Sequence, residues 1–539
     1  MTEHQDLTPA EAQEAVDEYL NGANGEPPPK KASPPPEPDL SGVGGDDGDG
    51  KKPSAVEILL EIANAQVQEL FHDGADTKYS TFADVLVDGH RCTYAIESAA
   101  FSRWLRHQYH KKTQGGCRAD VVKVVVDTLV AEATYNGGKR EVFVRVGECP
   151  KTGYLYIDLG DKTWRAIEVR PEGWKVIKKP PVRFKRGGGT AALPTPKRGG
   201  SFDDLRPFLN QRMDDDTWLL ICGWLCAALR PGHAFPPLIV NGEQASAKST
   251  LTAMLRQLVD PNVADLRSPP REEREMYITA NSNWCLVFEN VSRLLGWQSD
   301  MLCRLSTGGA CTFRSLFTDM DEVIFRACRP LVLNGIEDFV VRGDLADRAV
   351  FINLPHIPKE ERVEEKALWA RFEKTRPHIL GAILDALSTG LRELPNIKLT
   401  KLPRMTGFAT WGEACSGNFT ANEGAFLEAY ENNRESAVMS VIEGDAVATA
   451  IRDLAHDLGE GGEFVGCAKE LLERLEQVTT EKTRNTKTWP RSPRGLSDRV
   501  MRAAPALREA AIHVERLPRS GRVRPILIKG APKGSPLTL

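Results

Sequence analysis

The sequence predicts a multidomain α/β protein, and three observations carry that prediction. An apolar stretch, Pro237 to Asn241, runs into a polar loop and then a helical pattern from Leu251 to Arg256. That is the strand–loop–helix unit of a nucleotide-binding core. Helical patterns and alternating strands precede it. Charge is segregated to the two ends: residues 1–50 carry twelve acids against two lysines, and residues 481–534 carry fourteen Lys and Arg against four acids. The chain's 539 residues make about three to four domains reasonable. Its composition, 41% hydrophobic and 27% charged, suits a globular protein. No run reaches the ~18 apolar residues of a membrane span, so no membrane partner is expected. The acidic N-terminus is unlike a signal peptide. Eleven cysteines fall without a Cys-x-x-Cys pair, which points to a reducing cytoplasm rather than a disulfide scaffold or zinc site.

Taken in order, residues 1–53 are rich in Pro, Gly and Asp and read as a disordered acidic tail, with Thr8 to Leu20 able to form a short helix. Residues 54–180 read as a mixed α/β domain. Helical patterns cover 54–71, 98–113 and 118–136, followed by strands at 141–146, 154–158 and 164–169. Asp158 and Asp161 are split by a Leu-Gly turn, which favours a hairpin over a pair of metal-binding acids. His107 and His110 read as helix surface. The stretch 175–198 holds eight Lys and Arg and no acid between them. It supports two readings, a solvated linker or a track for a nucleic-acid backbone with Trp174 and Phe184 stacking on bases. The linker is set at 181–201. A helical collar at 202–231, a core at 232–356 and a helical region at 357–440 follow, and the last domain is 441–539.

The loop Gly242, Glu243, Gln244, Ala245, Ser246, Ala247, Lys248, Ser249, Thr250 has the pattern of a phosphate-binding P-loop, with Ala247 where that pattern has Gly. Free N–H groups and the positive end of the helix dipole attract polyphosphate. Lys248 is expected to reach the β and γ phosphates, and Ser249 to hold Mg²⁺ through its hydroxyl. About forty residues on, an apolar strand ends at Glu289 and Asn290. Glu289 is expected to support Mg²⁺. Asn290 can orient water but is a poor base. A hairpin pattern spans Leu305 to Arg329, with an acidic tip at 318–322. Another apolar strand ends at Asn334, placed to bond a γ-phosphate or the attacking water. Arg342 and Arg348 precede a last strand, where an Arg can reach a neighbouring subunit's nucleotide or serve a structural salt bridge.

The C-terminal end reads as helix, helix, basic helix and basic hairpin, a winged-helix pattern. Its third helix, with Arg499 and Arg502, would enter a major groove, and its wing, with Arg519 and Arg522, would grip phosphate.

The order of these motifs resembles the superfamily 3 helicases, AAA+-like ATPases of viruses, phages and plasmids. It is closer still to the primase–helicase type of phages and integrative elements, specifically over 235–355 and more weakly over about 60–530. The residues carrying the resemblance are the loop 242–250, Leu305 to Gly309, Arg329 to Ile336 and Asp344 to Arg348. It implies an AAA+-like core in a ring, usually a hexamer, with ATP and Mg²⁺ between subunits and single-stranded DNA in the channel. It implies Lys248, Ser249 and Glu289 on nucleotide and metal, Asn334 as sensor and Arg348 as a trans finger. It also implies DNA contact from the hairpin between Arg314 and Arg326, and duplex DNA at the winged helix. No primase centre is evident upstream. The function so implied is an ATP-dependent DNA helicase or translocase that initiates replication of a mobile element. The alternative is a DNA-binding ATPase switch (a regulator, loader or defence component) without unwinding.

Overall fold

The computed structural model describes residues 53–75, 79–314, 322–335, 340, 343–486, 489–519 and 524–530, with backbone alone over 311–314 and 322–325. The acidic tail read from 1–53 lies outside these residues except for Pro53.

Ser54 opens helix α1 (Ala55–Gln66) with a capping box: its Oγ accepts from the Glu57 amide, and the Glu57 carboxylate accepts from the Ser54 amide. The helix is shorter than the pattern predicts. Val67–His72 is instead strand β1, and it pairs antiparallel with β2 (Thr81–Val87), which pairs with β3 (His90–Ala95). Stacking of Phe71 on Phe82 holds β1 in the sheet, a tertiary contact that local periodicity cannot reveal. Helices α2 (Ala99–Thr113) and α3 (Ala119–Tyr135) cover this sheet, burying Phe101, Leu105, Val125 and Leu129. β4 (Gly138–Lys139) joins it parallel to β1.

β5 (Val142–Phe143) is followed by a meander of β6 (Val146–Glu148), β7 (Leu155–Asp158), β8 (Ala166–Arg170) and β9 (Gly173–Ile177). Asp158 and Asp161 bracket the β7–β8 turn. Asp161 accepts from the Thr163 and Arg165 amides, which fits the hairpin reading. The basic stretch 175–198 is pinned down in the fold. β10 (Arg183–Phe184) pairs with β5; Arg183 bonds Glu69 and Asp84, and Arg186 bonds Asp158 while lying 3.8 Å from the Trp164 ring centre. Trp174 and Phe184 are 7% and 3% exposed, so the reading that they stack on bases is corrected. Both rings belong to the core.

Residues 202–208 form two short 3-10 turns before α4 (Asp215–Ala228), which Asp214 caps. From Thr217 onward every residue of α4 is buried, as expected of a helix that is apolar all round. It packs under a four-stranded parallel sheet in the order β12 (Leu286–Phe288), β15 (Leu331–Asn334), β11 (Leu238–Gly242), β16 (Val350–Leu354). Both faces are covered, hence the continuous apolar runs. Alternation splits them: Leu238 and Val240 enter one core, while Ile239, Leu331 and Leu333 enter another. Between the strands lie α5 (Lys248–Val259), α6 (Glu273–Ser282), α7 (Gly296–Thr307), the antiparallel pair β13 (Ala310–Arg314) and β14 (Glu322–Arg326), and α8 (Gly343–Ala346). The acidic tip lies outside the described residues except for the Glu322 backbone, which begins β14.

Three helices follow, α9 (Glu365–Glu393), α10 (Thr406–Ser416) and α11 (Ala425–Gly444). The last domain has its own core around Ile451, Leu471, Leu496, Val500 and Ile528. Its order is α12 (Ala446–Leu458), β17 (Glu463–Gly466), α13 (Ala468–Val478), α14 (Glu481–Arg484), α15 (Pro493–Glu509), β18 (Val514–Arg516), β19 (Ile526–Lys529). β17 joins the predicted hairpin to make an antiparallel sheet, β17–β19–β18. No helix among the described residues is long and apolar enough to cross a membrane.

Candidate functional site

Parallel strands end on one edge of a sheet, so loops that follow different strands meet there. β11, β12 and β15 lead at that edge into the 243–247 loop, Glu289 and the residues after Asn334. Gly242 has φ +153, and a Cβ there would sit 2.5 Å from the Leu354 carbonyl oxygen, so Gly is required. Ala245 and Ala247 have φ +63 and +64, the left-handed region. Ala247, which replaces the expected Gly, is the N-cap of α5. The loop is braced from outside. Asn210 Nδ2 donates to the Ser246 carbonyl at 3.1 Å and the Pro355 carbonyl at 2.7 Å, and the Ile357 amide donates to Ala245 at 3.1 Å. The Ser246 hydroxyl bonds the Glu243 carbonyl.

Lys248 Nζ donates to the Gly242 and Glu243 carbonyls, each at 2.6 Å. Partial burial holds its pKa below the ordinary lysine range. The amides of Gln244, Ala245, Ser246 and Ala247 bond no described residue. Glu243, Gln244 and Ser249 are exposed, and Thr250 is half-buried. Unpaired amides, one ammonium and a helix N-terminus make a donor set that suits a polyphosphate. The Ser249 hydroxyl and the Glu289 carboxylate offer the hard oxygens a divalent cation prefers.

Glu289 is half-buried at the end of β12, its amide bonded to the Arg267 carbonyl at 2.9 Å. Asn290 is exposed with φ +53. Asn334, 1% exposed, ties these parts together. Its Oδ1 accepts from the Asn290 amide at 3.0 Å and its Nδ2 donates to Thr252 Oγ1 at 3.2 Å. Thr252 in turn bonds the Lys248 carbonyl at 2.8 Å. A chain of bonds therefore runs from α5 to the end of β12.

The predicted arginines fare differently. Arg348 is half-buried after α8 and donates to its own chain's Asp344 carbonyl. Arg342 and Arg522 lie outside the described residues, as does the Arg314 side chain, whose backbone pairs with Glu322. Arg326 is exposed on β14. In the last domain Arg502 and Arg519 are exposed and Arg499 is half-buried. Arg519, Arg516, Arg524 and Ser497 line an open depression of about 610 Å³.

Sequence reasoning missed Asn210, Thr252, Arg267 and the pair Arg145–Asp260. In that pair, Arg145 Nε lies 2.8 Å from Asp260 with side chains 1% and 5% exposed. The second Asp260 oxygen accepts from the Trp284 and Cys285 amides at 2.8 and 3.1 Å. Only Thr252 carried a signal, its place one helical turn after Lys248.

The fold and this edge define a class: a multidomain α/β protein with a cationic strand–loop–helix at the carboxyl end of a parallel sheet, followed by a basic terminal domain. Residues 204–435 match the model of the actinomycete integrative conjugative element replication protein, and residues 447–536 match the C-terminal domain of the same protein. The two regions together span more than half of the chain, which belongs to the replication proteins of actinomycete integrative conjugative elements. It is also similar to two solved structures. SCCmec type IV Cch, an active helicase, aligns at 13% identity over 86% of this chain and 93% of that one, with a TM-score of 0.45. The apo C-terminal region of NrS-1 aligns at 12% identity over 89% and 100%, with a TM-score of 0.40. None of the curated proteins matches.

Proposed function

We propose that this replication protein is an ATP-dependent DNA helicase or translocase of the superfamily 3, AAA+-like type. In this reading it opens DNA at the start of replication of its element. The observation that carries the reading is the convergence of Lys248, Glu289 and Asn334 on one sheet edge around a loop with four unpaired amides. Bound ATP with Mg²⁺ supplies the phosphoryl group and its counter-charge. Lys248 exchanges its loop carbonyls for phosphate oxygens. Ser249 and Glu289 hold the metal, while Asn290 orients water without taking its proton. Asn334, through Asn290 and Thr252, keeps both halves of the site in register. Phosphoryl transfer rests mainly on positioning and charge, so a site without a strong base can still work.

In this reading the active form is a ring, a hexamer, with ATP at subunit interfaces and single-stranded DNA in its channel. Arg348 acts on the neighbour's nucleotide, and Arg342 stands beside it in sequence. Arg314 and Arg326 on the hairpin stems face DNA. The order helix, strand, helix, helix, two strands supports a winged helix at the C-terminus, with Arg499, Arg502, Arg519 and Arg522 on duplex DNA. A second reading, an ATPase switch without unwinding, is favoured by Asn290, which stands where a catalytic acid is expected.

The test is ATP hydrolysis with and without single-stranded DNA, Lys248→Ala being the blank. Stimulation by DNA that is lost in the variant supports a motor. Equal phosphate release from both proteins would refute any ATPase. Strand displacement then separates motor from switch. Mixing Lys248→Ala with Arg348→Ala subunits should restore part of the activity if Arg348 acts in trans.

A further inference from the structure

We infer that α2 of the N-terminal domain is a second DNA-binding surface, which holds the phosphates of a strand along a basic stripe. Arg103, Arg106, His107, His110 and Lys111 recur at helical spacing on one side of α2, and all five are exposed. The other side buries Phe101, Trp104 and Leu105, with the Phe101 and Trp104 rings stacked at 5.3 Å. The helix is therefore anchored independently of its charges. No acid occurs between Glu97 and Asp120.

The neighbouring acids are already used at the edges. Glu61 of α1 pairs with Lys112 at 2.8 Å, and Asp120 of α3 pairs with Arg118 at 3.1 Å. Arg103, Arg106 and Lys111 pair with no described acid. A charged face of this kind normally gains interleaved acids at i±4, which stabilise a helix by ~0.3 kcal/mol per pair. This one has none. From Arg103 to Lys111 the helix rises about 12 Å, the axial length of three to four phosphates on one strand. The chain belongs to a family of replication proteins, so DNA is the polyanion this stripe complements. The nucleotide site plays no part in the inference, and a failed hydrolysis assay leaves it standing.

The test is binding of labelled single-stranded and duplex DNA to the full chain, without nucleotide, between about 50 and 200 mM salt. Each phosphate contact contributes about 0.9 to the salt slope on duplex and about 0.7 on a single strand. Arg103→Gln/Arg106→Gln/Lys111→Gln removes three. Over that fourfold salt range the natural protein should lose about 40-fold more affinity than the variant on duplex, or about 20-fold more on a single strand. The form on which the variant's slope falls by the amount expected for that form is the form held. Arg103→Lys/Arg106→Lys keeps the charge and should follow the natural protein. Parallel salt curves for the natural protein and the Gln variant would overturn the inference, and would leave the stripe a solvated face or the seat of the acidic tail. So would a Lys variant that behaves like the Gln variant.

Discussion

Asp260→Ala tests how the two halves of the candidate site are held together. The Asp260 carboxylate ends α5, accepts Arg145 from the N-terminal domain, and takes the first two amides leading into β12. Its removal leaves a guanidinium buried without a counter-charge, at about 3–5 kcal/mol. It also leaves two amides unpaired, at about 1–3 kcal/mol each. The terms overlap, because Arg145 keeps the Asp158, Ala191 and Pro261 carbonyls and water can enter the space left. A local loss of about 4 kcal/mol follows. Asp260→Asn retains an acceptor and should cost about half as much. A chain of several domains does not unfold in two states, so the assay must be local. Hydrogen exchange of the peptide over residues 284–288 reports the opening free energy of β12. A fall of less than about 1 kcal/mol in Asp260→Ala would refute the reasoning. The Arg145→Leu/Asp260→Ala double variant should lose at least about 2 kcal/mol less than the two single losses added.

Three further outcomes are expected. Ala247→Gly removes left-handed strain of about 1–2 kcal/mol but returns about 0.4–1 kcal/mol of chain entropy, so exchange at α5 should slow slightly. Ala247→Val should speed it, and the opposite order would exclude strain at this cap. Asn334→Ala orphans the Asn290 amide and should raise exchange at residues 290–291 by about 1–3 kcal/mol of opening, with β16 unchanged. His233 is held neutral, its pKa pushed down to about 4 by burial and then by Arg230. The unfolded ring takes a proton near its ordinary value of 6.5 and the folded ring only near 4, so stability is flat above 6.5 and falls as pH drops through that window. The loss has an upper bound of about 3 kcal/mol. His233→Leu should flatten the pH dependence of the opening free energy that hydrogen exchange reports over residues 233–240, and an unchanged slope would exclude His233 as its source.

The Gly242–Thr250 loop was legible because strand, loop and helix are contiguous in sequence, and each has a local signature. The helices α2, α3, α12 and α15 were legible for the same reason. What failed was whatever depends on a distant partner. Val67–His72 continues the helical rhythm of α1, and only the arrival of β2 makes it a strand. The cations at 183–186 read as solvated or DNA-facing because their acids, Glu69, Asp84 and Asp158, lie far off in sequence. Arg145 and Asp260 are 115 positions apart, and neither sits in a pattern.

Those distant partners give the N-terminal domain a physical route to Glu289. The segment after β10 runs against the end of α5: the Val263 amide bonds Gly189 at 2.9 Å, and the Ala191 amide bonds Pro261 at 3.0 Å. Contact is so close that a Cβ at Gly189 would lie 2.6 Å from Asn262 Oδ1, and one at Gly187 would lie 2.7 Å from the Ser282 carbonyl oxygen. Asn262 Oδ1 accepts from Arg267, and the Arg267 carbonyl accepts the Glu289 amide. Each link is a direct hydrogen bond or a backbone contact with no slack, and packed interiors shift between discrete arrangements rather than yield smoothly. The 187–191 segment is thus joined through Asn262 and Arg267 to the Glu289 amide. Asn334 fixes the next amide, that of Asn290, so Glu289 lies between the two constraints.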